Sequence, residues 1–156
     1  RILQPLFTAL LTSSSATTLP VSMIAAEKEL GVDRAKASFI LPLGATANMD
    51  GTALFEGIAA IYLAYMFGID LGSTEIITVF LISMLSSIGA PGMPSGSMAG
   101  MQLVLLAVGI PLEAIALLLL IERPLDTFRT AVNVEGDLAG CLVVEHFISG
   151  SRKAAS

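Results

Sequence analysis

Apolar residues occupy this chain in long stretches, at 2–11, 20–26, 37–67, 75–88, 97–110 and 112–148, parted by short polar or Gly/Pro-rich interruptions. A membrane span needs about 20 consecutive apolar residues to cross a core of about 30 Å. The segments at 75–88 and 97–110 reach only about 21 Å as helices, and they flank the tip I-G-A-P-G-M-P-S-G. They predict a helical hairpin that dips into a membrane and leaves by the same side. The Ser-rich run T-S-S-S-A-T-T-L at 12–19 fits the tip of a second such hairpin. The stretch at 37–67 could span, but N-M-D-G-T interrupts it at 48–52. The last stretch is long enough for a full span with an extension. Non-helical backbone at bilayer depth is tolerated only where protein or a water-filled cavity satisfies its polar groups. Two tips and one broken helix therefore point to a single buried site.

The polar positions of the last stretch follow a helical period. Asp126, Arg129, Thr130, Asn133 and Asp137 fall within about 60° to either side of one direction at 100° per residue, and Glu122 joins them one turn earlier. Each ionised side chain at bilayer depth costs about 2.5–3.5 kcal/mol. Asp126, Arg129 and Asp137 together therefore cost roughly 8–10 kcal/mol, against about 3–4 kcal/mol returned by the Leu and Ile residues just before them. Such a stripe cannot face lipid. It must line a protein interior or a hydrated cavity, as a transport pathway does. Glu135 points away from it and needs some other interior contact.

Composition sets the class. Only 13% of residues are charged and 54% are hydrophobic, against about 25% charged in an ordinary soluble domain, so the expected class is an all-α membrane protein. The net charge of −5 argues against nucleic acid as a partner. Cys141 stands alone, which excludes an internal disulfide and a multi-cysteine metal site. His146 reads as an interfacial or capping residue. Lys28, Arg34 and Lys36 cluster in one connector, and Arg152 and Lys153 lie near the C-terminus. The connectors around Asp70–Glu75 and Glu113 hold no Lys or Arg. The positive-inside tendency places both basic regions, the C-terminus included, in the cytoplasm. Arg1-Ile2-Leu3-Gln4 enters an apolar segment without a start methionine, which reads as a chain that begins in mid-protein.

Two passages share the pattern N-apolar-acid-G-polar: Asn48-Met49-Asp50-Gly51-Thr52 and Asn133-Val134-Glu135-Gly136-Asp137. Each follows a hairpin with a Ser-containing tip. Repeats of hairpin plus interrupted span indicate an inverted-repeat transporter core with a site at the repeat interface.

Four motifs carry a family resemblance: S-S-S-A-T-T-L-P, L-P-L-G-A-T-A-N-M-D-G-T-A-L, S-S-I-G-A-P-G-M-P and D-T-F-R-T-A-V-N-V-E-G-D. In this order and spacing they resemble the glutamate transporter homologues, the dicarboxylate/amino acid:cation symporters, over nearly all of residues 1–150. The resemblance implies the C-terminal transport half: an inner hairpin at 1–30, an interrupted seventh helix at 34–67, an outer hairpin at 74–110 and an eighth helix at 112–148. Six preceding helices, with the scaffold of a homotrimer, would be missing. It implies a multi-pass protein of the inner or plasma membrane, embedded in the lipid bilayer, that moves an acidic amino acid with sodium.

Carried over motif by motif, Ser13, Ser14 and Ser15 would offer backbone amides to a substrate carboxylate, where a plain Ser-rich turn is the alternative. Met49, Thr52 and Met93 would lie beside the substrate. Arg129 resembles the residue that receives the side-chain carboxylate, which a guanidinium can grip with two parallel hydrogen bonds. Asp126 resembles the acceptor of the α-ammonium, with Thr130 and Asn133 orienting the ligand. An internal Asp126–Arg129 pair that only holds helices together is the other reading. The sodium ligands implied are Gly44, Thr46, Asn48, Asp50, Ser87, Ile88, Asn133 and Asp137, several through backbone carbonyls. A polar kink satisfied by neighbouring helices would be the bland account of the same residues. Glu56 matches a glutamate found in proton-coupled members and could carry H+, or could be a buried neutral group with no coupling role. The chain departs from the family at Ala90-Pro91, at Ser97, which is often Gly, and at Thr12 and Thr127, where some members have a second arginine.

Other classes fit less well. A C4 dicarboxylate would bring a second carboxylate to Asp126. A neutral amino acid would leave Arg129 unpaired, at a further cost. An intramembrane hydrolase built on Ser14 finds no His or Lys near the serines, and a passive channel has no need of two Gly/Pro gates around an Asp/Arg pair. Enzyme chemistry is not expected.

Overall fold

The computed structural model describes residues 2–89, 92 and 95–154, the last six of them by backbone alone. Met93 and the Ala90-Pro91 departure lie outside the described residues, as do the side chains of Arg152 and Lys153. Among the described residues there is no strand. The helices are α1 (Leu3–Thr12), α2 (Ser15–Lys28), α3 (Arg34–Ala47), α4 (Asp50–Met66), α5 (Ser73–Ile88), α6 (Ser97–Ala107), α7 (Ile115–Leu119) and α8 (Glu122–Ala154), with a 3-10 turn at Leu112–Ala114 before α7.

The polar interruptions end helices by local chemistry. Ser13 takes a left-handed conformation at φ 49°, and its N–H closes α1 onto the Ala9 carbonyl at 2.9 Å. Ser14 is extended and caps α2 by accepting the Thr17 N–H at 3.2 Å, satisfying one of the amides left open at a helix start. Helix resumes at Ser15, so the turn is tighter than the predicted 12–19. The same holds for the broken helix: only Asn48 and Met49 leave helical geometry, and Asp50, Gly51 and Thr52 already belong to α4. Asp33 starts α3 by accepting from Ala35 N and Lys36 N at 3.0 and 3.3 Å. Lys36 then pairs with Glu145 of α8 at 2.8 Å, fastening the two helices at that end.

The last stretch departs from expectation. It is not one helix but α7 and α8, parted at Leu120–Ile121. Pro124 has no N–H to give the Leu120 carbonyl and its ring crowds that oxygen. α8 alone runs 33 residues, about 50 Å, but it bears the polar stripe. No helix among the described residues is long and apolar enough to cross a membrane.

Two separate apolar clusters hold the helices. One gathers Ala9, Ala26, Ala37, Leu41, Leu138 and Cys141 from α1, α2, α3 and α8; here Cys141 is packing, as its surroundings require. The other gathers Leu63, Val79, Met101, Val104, Leu105 and Leu118 from α4 to α7. Between them α8 turns its stripe inward: Glu122, Asp126, Arg129, Thr130, Asn133 and Asp137 are all buried. Glu135 is exposed, so the expected interior contact for it does not exist. His146 is exposed too, its ring edge-on to Phe147. The exterior carries large apolar side chains, among them Leu11, Phe39, Tyr65, Leu85, Leu120 and Phe147, which suits lipid or protein neighbours rather than water.

α4 and α8 meet at Gly51. A Cβ there would lie 2.9 Å from the Arg129 Cα and 3.0 Å from its carbonyl carbon, and backbone cannot step aside as a flexible side chain could. Gly51→Ala should therefore destabilise the protein by about 1–3 kcal/mol through overpacking, measured as a lowered thermal midpoint of the purified protein in detergent.

Candidate functional site

Asn133 joins α8 to the break in the helix and to the start of α4. Its Oδ1 accepts the Gly51 N–H at 2.7 Å, and its Nδ2 donates to Met49 Sδ at 3.2 Å and Thr52 Oγ1 at 3.3 Å. Gly51 lies in the first turn of α4, where amides have no partner within the helix. A side chain from another helix thus caps the second half of the break.

One turn earlier, Arg129 lies 5% exposed between two carboxylates. Its Nη2 is 2.6 Å from Asp126 Oδ1 and 2.9 Å from Glu122 Oε1, and its Cζ stands 4.5 Å over the Phe55 ring. Nη1 is buried and finds no acceptor. A guanidinium buried with no countercharge would cost several kcal/mol, so two carboxylates and a ring face share it. Asp126 reaches further, with Oδ2 accepting the Ser95 N–H at 3.0 Å, which ties α8 to the segment between α5 and α6. Thr130 donates its hydroxyl back to the Asp126 carbonyl at 2.8 Å.

The two hairpin tips touch. The Gly92 carbonyl accepts from Ser14 Oγ at 2.8 Å and from Ala16 N at 3.2 Å, so one oxygen of the Gly/Pro tip occupies two donors at the start of α2. Beneath this contact is a cavity lined by Ser13, Ser15, Met49, Thr52, Asp126, Arg129, Thr130 and Asn133, with Gly92, Gly96 and Ser97. Its volume is about 10 Å³, room for roughly one water. Most of the residues singled out for the substrate thus line one small cavity; Ser14 stands at its edge through Gly92, and Met93 lies outside the described residues.

A second polar group lies further along α8. Asn48 Nδ2 donates to Asp137 Oδ1 at 3.1 Å. A Cβ on Gly44 would meet that same Oδ1 at 2.5 Å, and one on Gly136 would meet both Asn48 Nδ2 and Asp50 Oδ2 at 2.9 Å. Glycine at 44 and 136 lets two helices close around a carboxylate-rich point. Oxygen donors of this kind suit a hard cation, so the residues fit sodium. Thr46 and Ile88 turn their side chains outward, and the Thr46 hydroxyl bonds back to the Leu43 carbonyl at 3.0 Å; only their backbone carbonyls could serve a cation. Ser87 is buried, its hydroxyl spent on the Met84 carbonyl at 2.9 Å. Among the described residues, no group of three or more His, Cys, Asp and Glu side chains is gathered as a metal cluster. Glu56 is fully buried between α4, α5 and α6. One of its oxygens takes a short hydrogen bond from Ser86 Oγ, and the other lies against Gly100 with no partner.

Several members of this constellation have no local mark in the sequence. Glu122 could have been found as the partner of Arg129 from its spacing of seven, two turns on one face. Phe55 and Ser86 come from α4 and α5, where nothing in their own neighbourhood signals the contact, while Gly92 and Gly96 belong to the Gly/Pro tip whose partners across the chain were not foreseen.

A buried Arg–Asp pair beside a broken helix and two helix-to-helix turns, inside a helical body with an apolar exterior, is an arrangement of the class that suits a membrane protein with an interior binding site. The chain belongs to the sodium:dicarboxylate symporter family, which matches residues 1–147. It is 49% identical over 145 residues to excitatory amino acid transporter 2 of Homo sapiens, covering 93% of this chain and 25% of that protein. It is 45% identical over 146 residues to an excitatory amino acid transporter of Onchocerca volvulus, covering 94% of this chain and 30% of the relative. Excitatory amino acid transporter 3 of Homo sapiens is 47% identical over 142 residues, or 91% of this chain and 27% of its own length. The chain thus spans between a quarter and three tenths of the length of these relatives.

Asn133→Ala would leave the Gly51 amide buried without an acceptor. It should lower stability by about 1–3 kcal/mol, and hydrogen exchange at the start of α4 should speed up while exchange in α1 and α2 stays unchanged.

Proposed function

We propose that this chain is the substrate-carrying core of a secondary active transporter that moves an acidic amino acid, aspartate or glutamate, together with sodium. The observation that carries the reading is Arg129, buried beside Asp126 on the wall of an enclosed cavity. Arg129 takes the substrate's side-chain carboxylate and Asp126 takes its ammonium. The start of α2, at Ser13, Ser14 and Ser15, takes the α-carboxylate, because open amides and the helix dipole favour an anion there. Thr130, Asn133, Thr52, Met49 and Met93 shape the space around it. Sodium is bound by Asp137, Asn48, Asp50 and Asn133 with the carbonyls of Gly44, Thr46, Ser87 and Ile88.

The cavity as it stands is far too small for an amino acid, so loading requires the tips to part. The bonds from Ser14 and Ala16 to Gly92, and from Ser95 to Asp126, are the ones that must open. A substrate carboxylate then replaces the Gly92 carbonyl at α2, and an ammonium replaces Arg129 at Asp126. The inner hairpin, broken helix, outer hairpin and α8 act as one re-entrant, inverted-repeat unit in a homotrimer of the plasma or inner membrane, with the C-terminus in the cytoplasm. The exposed Leu, Ile and Phe side chains lie against lipid and the remaining scaffold. A C4 dicarboxylate is disfavoured because its second carboxylate would meet Asp126 and Glu122. Proton coupling through Glu56 is a second reading, favoured by its partnerless oxygen, where a proton has room to sit.

The test is uptake of labelled L-aspartate by the full-length transporter in proteoliposomes, with and without an inward sodium gradient, against unlabelled succinate and alanine. Uptake should require sodium and be blocked by neither competitor. Arg129→Cys should reduce aspartate uptake at least 100-fold, since a charge-assisted pair is lost from a buried site. Undiminished uptake by that variant would sink the assignment.

A further inference from the structure

Four buried side-chain atoms among the described residues have no hydrogen-bond partner: Arg129 Nη1, Ser97 Oγ, Ser83 Oγ and Glu56 Oε1. Two of them, Arg129 Nη1 and Ser97 Oγ, belong to residues that line the same cavity. The other two lie away from it.

Ser97 is 3% exposed and is the first residue of α6. A serine hydroxyl at a helix start ordinarily faces water or bonds a backbone group nearby. Here it does neither, and the residue before it, Gly96, supplies no side-chain cap. Leaving a hydroxyl and a guanidinium nitrogen unpaired in a buried place is costly, more so for the charged group. Both can be satisfied at once by a ligand that brings an acceptor into the cavity. Arg129 Nη1 can only donate, whereas Ser97 can donate or accept, so an anionic oxygen suits the pair and a methyl or ammonium group does not.

We propose that Ser97 is a specificity-determining residue of the substrate site: its hydroxyl donates to the same carboxylate that Arg129 receives. This rests on the acidic amino acid reading above and extends it to a side chain that reading does not use. The assignment also accounts for how a site with a single arginine grips its ligand. Nη2 stays with Glu122, Nη1 turns to the substrate, and Ser97 supplies from α6 the second donor to the carboxylate.

The experiment compares wild type, Ser97→Ala, Ser97→Gly and Ser97→Thr in the full-length transporter, reading KM and maximal rate of sodium-driven L-aspartate uptake. A hydrogen bond from a neutral donor to a charged acceptor accounts for roughly 10- to 100-fold in affinity. Ser97→Ala and Ser97→Gly should each raise KM by at least 10-fold with maximal rate changed less than 2-fold, and Ser97→Thr, which keeps the hydroxyl, should stay within about 3-fold of wild type. An unchanged KM in both Ala and Gly variants would overturn the proposal while leaving the transport reading intact. Equal rises in all three variants would also overturn it, since packing rather than the hydroxyl would then be responsible. If wild type itself takes up no aspartate under a sodium gradient, the failure belongs to the function and not to Ser97.

Discussion

A buried positive charge constrains everything around it. Arg129 is held by Asp126, Glu122 and the Phe55 ring, and those partners come from α8 itself and from α4. Because a lone guanidinium is so costly away from water, α4 must lie against α8 closely enough to deliver Phe55. Gly51 is the residue that lets the backbones come that near. The break before α4 then falls next to Asn133, and the cavity falls between that break and the two tips.

The irregular backbone follows from the same requirement. A continuous helix uses its own amides and carbonyls, and has none to offer a ligand. Each interruption frees some: amides at the starts of α2, α4 and α6, carbonyls at the ends of α3 and α5. In this structure the freed groups are met by other parts of the protein, Gly51 N by Asn133 and Ala16 N by Gly92. Those internal partners are acceptor oxygens, the kind of group that an anionic ligand offers to a free amide.

How much of this could be read beforehand depends on the range of the signal. The stripe on α8 was legible because helical period is local: six polar residues on one face must be buried together, and they are. Both tips were legible because Ser, Gly and Pro cluster there, whereas single residues of these types such as Pro20, Pro42 and Gly57 are carried inside helices. The Ser-rich tip and the break at 48–52 were drawn too long, since Ser15 through Thr18 and Asp50 through Thr52 are compatible with helix and were absorbed by it. The parting of α7 from α8 was missed although Pro124 marks it, because a run of Leu and Ile reads as unbroken. Glu135 was expected indoors from its place in an apolar segment, but outward is the side of α8 that no other helix covers. The meeting of Gly92 with Ser14, 78 residues away, is set by the packing of two hairpins and leaves no mark in either sequence.

The separation of the two apolar clusters bears on how the molecule can change shape. Each cluster is complete on its own side, and the tips meet through hydrogen bonds alone among the contacts described. Parting the tips would trade those bonds for bonds to water. Opening would be governed by competition between water and a few backbone groups, a balance that a small polar ligand can tip by arriving.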